Sequence, residues 1–84
     1  MEKRIGTITV LIRDREAAQS VNQLLSEHAD IILCRQGLPF HDRPVAVISL
    51  IVEGTVNKIN ALTGQLGRLD GVECKAVVTR NNYS

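Results

Sequence analysis

Apolar residues in this chain recur first every second position, then at helical spacing, and the two periods keep exchanging. In IGTITVLIR, Ile8, Val10 and Ile12 fall on one side and Thr7, Thr9 and Leu11 on the other. That alternation predicts a strand with one strongly apolar face and one mixed face. Asp14 stands at the N-cap position of a following helix, with Glu16 in its first turn near the positive end of the dipole. Ala17, Val21, Leu24, Leu25 and His28 then share one helical face, so an amphipathic helix is expected to about His28. ADIILCRQG predicts a second strand, and Gly37, Pro39 and Pro44 mark the loop after it. RPVAVISLIVEG predicts a third. Ala46, Ile48, Leu50 and Val52 line one of its faces and Val45, Val47 and Ile51 the other, the pattern of a central strand buried on both sides.

Gly54 and Thr55 lead into a second helix carried by Val56, Ile59, Leu62 and Leu66, with Gly64 weakening it and Gly67 as its C-cap. Asp70-Gly71 is a turn signal. In the last strand Val72, Cys74, Ala76 and Val78 alternate with Glu73, Lys75, Val77 and Thr79, and Cys74 is expected in the core. The tail from about residue 80 has no pattern and is expected to be disordered.

The order is β-α-β-β-α-β, so the fold class is α+β: a ferredoxin-like sandwich with a four-stranded antiparallel sheet. Right-handed crossovers place both helices on one face, with the first and third strands central. The other face would show Thr7, Thr9, Leu11, Val47, Ser49, Ile51, Val77 and Thr79. Few of these are charged, and an uncovered patch of that kind is usually a contact surface. Its commonest partner is another copy of the chain, so a homo-oligomer, a homodimer or tetramer, is expected.

Length and composition narrow the function. The 84 residues make a single domain, 1–84, of a size that buries only ~60–65% of its unfolded surface. Two cysteines forty positions apart allow neither a disulfide framework nor a CxxC site. No signal peptide is read at the start, and the longest apolar run, VAVISLIV, is too short to cross a bilayer. A cytoplasmic protein without membrane association is expected. Ten basic and nine acidic residues are scattered, and Phe40 and Tyr83 are the aromatics. Phosphate neutralisation and base stacking both lack their residues, which argues against direct nucleic-acid binding.

Several stretches resemble the small proteins assigned as regulators of the iron-only hydrogenase system. They are DREAAQSVNQLLSEHADII, the R-x-G-x-P segment at Arg35, Gly37 and Pro39, VISLIVEGT, and ALTGQLGRLDGV. The resemblance covers nearly the whole chain. It implies an ACT-like domain, similar to the C-terminal domain of the nickel-responsive regulator, that assembles into dimers or tetramers. Where that family carries glycine, an aromatic and proline, this chain has Cys34, His28 and Asp70. Amino-acid-binding ACT domains have Pro-Gly after the acidic residue ending the first strand; here Arg15-Glu16 follow Asp14.

The densest chemistry lies in CRQGLPFHDR, Cys34 to Arg43. Arg35 and Arg43 would flank the hairpin near Gly37 and Pro39 as an anion or carboxylate clamp for a small-molecule effector. The plainer reading makes both arginines solvated flanks of a loop, one of them guarding an edge strand. Cys34, His41 and His28 are ligand types for nickel, zinc or cobalt, although scattered ligands of this kind are unspecific. The plainer reading leaves Cys34 a strand residue, His41 a loop residue and His28 a cation at a helix C-terminus. No cofactor is firmly implied. Neither a nucleophile elbow nor a phosphate loop is present, so the chain is not read as an enzyme. The expected function is a homo-oligomeric regulatory or sensing module that binds a small effector at a subunit interface. The alternatives are a metal sensor or metallochaperone using Cys34 and His41, and a structural oligomer scaffolding a larger complex.

Overall fold

Alternation and helical periodicity meet in one buried layer. The computed structural model of the chain describes residues 2–80. Strand β1 spans Arg4–Ile12, helix α1 Ala18–Glu27, β2 Ile32–Pro39, β3 Ala46–Gly54, α2 Val56–Gly67 and β4 Val72–Val78. The sheet order is β2-β3-β1-β4, with every neighbouring pair antiparallel. This is the expected ferredoxin-like arrangement, with the two central strands as expected. The expected disorder of the tail from about residue 80 falls, apart from Arg80, on residues 81–84, which lie outside the described residues.

The core forms where the inward rows of the central strands meet the apolar stripes of both helices. Ile8, Val10, Leu50 and Val52 pack with Val21 and Leu25 of α1 and Ile59, Leu62 and Leu66 of α2. Thr55 begins α2 by accepting the Lys58 N–H on its hydroxyl at 3.2 Å, which satisfies one of the free first-turn amides.

Several boundaries differ from those the sequence predicts. The Asp14 carboxylate accepts the Glu16 N–H at 3.0 Å, but it caps a 3-10 turn, Arg15–Ala17, that precedes α1. Ala29–Ile31 is a second 3-10 turn rather than the start of a strand. It buries Ile31 against Gly54, where an added Cβ would come within 2.8 Å of Ile31 Cγ2. Gly37 and Pro39 lie inside β2 instead of in the loop, which is correspondingly short. Proline is tolerated there because Phe40 N–H bonds the C=O of Val45, the residue before β3, so the preceding residue turns its backbone nitrogen to the free edge. Helix α2 runs through Gly67, and Arg68 takes the C-cap position expected for that glycine.

Strand β3 is buried on one side only. Leu50 and Val52 are inaccessible while Ile51 is 41% exposed, because both helices occupy the same face. Cys74 is half-buried rather than in the core.

Gly71 holds φ +78°, and a Cβ there would meet Asp14 Cβ at 2.8 Å. Gly64 has open space around the same atom. Gly71→Ala is therefore expected to cost roughly 1–3 kcal/mol, while Gly64→Ala should gain about 1 kcal/mol from helix propensity. Urea midpoints that move the same way for both variants would contradict this reading.

Candidate functional site

Each element of the sheet sends alternate side chains away from the helices, and the strand register sets them in rows. Cys34, Ile51, Thr7 and Val77 stand side by side across the sheet, then Gln36, Ser49, Thr9 and Lys75, then Leu38, Val47, Leu11 and Glu73. Leu38 is 60% exposed and Val77 73%. Charge in these rows is confined to Glu73 and Lys75, both on the edge strand β4. Over these three rows the uncovered face carries apolar, hydroxyl and amide side chains on three strands and charge on β4, and Glu53, opposite Ile5, adds a carboxylate at the end of β3.

Part of this surface escapes sequence patterning. Ile32 pairs with Val52 but Cys34 with Ile51, so the register shifts at Leu33. That bulge reverses the facing of every later β2 residue. Cys34, Gln36 and Leu38 go to the open face, while Arg35, Gly37 and Pro39 go to the helix side.

The residues of CRQGLPFHDR are distributed accordingly. Arg35 Nη2 donates to Asn22 Oδ1 of α1 at 2.9 Å. It borders a depression of about 210 Å³ with Leu25, Ser26, Ala29 and Ile32. Arg43 lies over the Phe40 ring, 4.6 Å from its centroid, and pairs with Asp42 at 3.6 Å. Arg15 Nη2 donates to Phe40 C=O at 3.5 Å, tying the same loop to the start of the first helical segment. The two candidate clamp arginines therefore have different partners. Cys34 is exposed in the sheet face and His41 in the loop. His28 bonds Gln65 Oε1 through Nε2 at 2.7 Å, linking the ends of the helices. Among the described residues, no cluster of three or more His, Cys, Asp or Glu is arranged to hold a metal ion, and no helix is long and apolar enough to cross a membrane.

Among the described residues, two groups titrate away from their usual ranges. Lys58 Nζ donates to Asp30 Oδ2 at 3.1 Å and holds that carboxyl below its ordinary value. Burial pushes the Cys74 thiol up, and its Sγ donates to Thr63 C=O at 3.4 Å.

Comparison with known proteins gives one family and a broad fold likeness. The family model TM1266-like, described as "Iron-only hydrogenase system regulator, putative", matches residues 4–76. The structure of uncharacterized protein TM1266 from Thermotoga maritima is 38% identical, with a TM-score of 0.89 over 94% of this chain and 100% of that one. The C-terminal domain of the MgtC protein from Mycobacterium tuberculosis is 13% identical, with a TM-score of 0.71 over 96% and 93%. A formyltetrahydrofolate deformylase from Pseudomonas putida KT2440 is 8% identical, with a TM-score of 0.66 over 92% of this chain and 30% of its own. The last two likenesses concern the fold alone. No curated protein matches the chain.

The raised thiol range of Cys74 has a consequence for stability. The folded chain keeps this proton after the unfolded chain has released it. The stability is intact below the unfolded thiol range, about pH 8.5, and is lost as pH rises through the folded value. Urea midpoints at pH 7 and pH 9.5 should differ more for the native chain than for Cys74→Ala; equal differences would remove the argument.

Proposed function

The chain belongs to the TM1266-like family of iron-only hydrogenase system regulators, and from that membership we propose that it acts as a homo-oligomeric regulatory module rather than an enzyme. The observation that carries this reading is the open sheet face. A row such as Cys34, Ile51, Thr7 and Val77 offers β-branched and small side chains where a solvated sheet would carry charges. A second copy stacked on that face would bury it, as two sheets pack in a sandwich.

The effector in this reading is a small anion taken on the helix side of β2, near Gly37 and Pro39, by Arg35 with Arg43 of the adjoining loop. Asn22 is a neutral partner for Arg35, so the guanidinium keeps its charge for a ligand. Asp42 pairs with Arg43 at an exposed site where such pairs are weak. Regulation then requires only that the anion bind one assembly state better than another, with a larger protein reading the difference. The link to hydrogenase regulation comes from the family.

Native mass spectrometry of untagged protein, purified anaerobically without chelator, is the direct test. The native chain should appear as an oligomer, and Ile51→Lys should lower its mass by removing the face contact. A monomeric native chain, or an Ile51→Lys variant of unchanged mass, would refute the face-to-face assembly. Extra mass lost in Arg35→Ala would identify the effector site; extra mass lost in Cys34→Gly but kept in Arg35→Ala would transfer the site to a metal.

A further inference from the structure

The sheet has two edges, and they are built differently. At β2 the bulge at Leu33 and the proline at position 39 interrupt the ladder that a new strand would need. At β4 neither device is present: VECKAVV runs from Val72 to Val78 without proline or bulge. The backbone pattern shows what this edge offers. Arg13 N–H bonds Gly71 C=O at 2.7 Å and Thr79 N–H bonds Ile5 C=O at 2.9 Å. Odd-numbered β4 residues therefore face β1, and Cys74, Ala76 and Val78 turn N–H and C=O outward. Val72 turns its C=O outward, while its N–H bonds Leu69 C=O at 3.3 Å.

We infer that β4 is a second self-association surface, pairing antiparallel with β4 of another copy about a two-fold axis at Cys74. Charge selects this register. With Cys74 at the axis, Glu73 of each copy lies opposite Lys75 of the other, on the open side of the sheet. Centring on Glu73 would oppose two carboxylates, and centring on Lys75 two ammonium groups. Centring on Ala76 would leave Lys75 opposite Val77. Opposite charges directly across a ladder are favourable and like charges unfavourable.

The same register uses the outward backbone groups. Each Cys74 exchanges both bonds with its mate, and each Ala76 N–H donates to Val72 C=O across the axis. The ladder closes at Gly71, whose positive φ turns the chain away.

The helix side accommodates such a neighbour. Cys74 Sγ reaches Thr63 C=O, which places Thr63 of α2 beside the axis. A cleft of about 500 Å³ runs along this edge, lined from the open side by Thr9, Leu11, Glu73 and Lys75 and from the helix side by Gly67, Val72 and Cys74. A Cβ at Gly67 would meet nothing within 4 Å. Small residues on this flank let two α2 helices stand side by side over a continuous sheet. The edge contact is separate from the face contact proposed above; an assembly using both has two different two-fold interfaces and closes as a tetramer when their axes cross at right angles.

The test uses the full chain in sedimentation velocity. Glu73→Lys alone and Lys75→Glu alone should each lose the edge contact, since each opposes like charges twice. An equimolar mixture of these two variants should regain it as a heterodimer in which both positions are complementary. Ala76→Pro removes an outward N–H without touching the bonds to β1, and should also lose the contact. A mixture that associates no further than its components, or an Ala76→Pro variant that keeps the native mass, would overturn the inference. The two interfaces separate in Ile51→Lys: it should remain an edge-paired dimer. If it falls to monomer, the edge proposal fails and the face reading stands. If Ile51→Lys keeps the full native mass while Ala76→Pro lowers it, the face reading fails and the edge stands.

Discussion

The structure depends on one asymmetry: both helices pack against the same side of a single sheet. The handedness of the two β-α-β crossovers imposes it, and the buried contacts of Ile8, Leu50 and Val52 with Val21, Ile59 and Leu62 hold it in place. Everything that distinguishes the molecule follows from what this leaves uncovered. Ile51 and Leu50 are adjacent in sequence and both aliphatic, yet one is inaccessible and the other 41% exposed. The uncovered side of β3 carries Val47, Ser49 and Ile51 before its first charge, Glu53, where a strand turned to water would alternate with charges.

Periodicity revealed the element order, the central strands, the core rows and most of the open face, because these depend on which side a residue lies. It failed where position depends on register. Leu33 looks like an ordinary strand residue, and only pairing with β3 shows that it is extra. Cys34 and Leu38 were therefore missing from the expected face, and Arg35 could not be paired with Asn22, thirteen positions earlier and in another element. Ala29 and Asp30 read as strand because Ile31 and Ile32 follow them, whereas burial of Ile31 beside Gly54 draws this segment into a turn. Cys74 shares its parity with core residues but sits on an edge strand, where half of its surroundings are open.

The chemistry of the charged residues follows the same geometry. Exposed pairs such as Arg13 with Glu73 at 3.6 Å contribute little to stability. Their positions still matter, because a flat sheet margin with one carboxylate and one ammonium on alternate residues discriminates among registers. Weak interactions can thus determine which assembly forms while apolar burial and backbone bonds supply its strength. The arginines around the β2–β3 loop stand away from this margin, so in the proposed assembly an anion and a second copy would meet different charges.

The extra residue in β2 also constrains how this protein can change over generations. Deleting one residue there would restore a regular ladder at little cost to pairing. It would also exchange the two sides of the strand, sending Arg35 and Gly37 outward and Cys34 and Leu38 beneath α1. The segment between His28 and Gly37 should therefore tolerate many substitutions but few changes in length. Among descendants of a common ancestor, the spacing between the end of α1 and this glycine is then a sharper mark of retained surface identity than the residues that fill it.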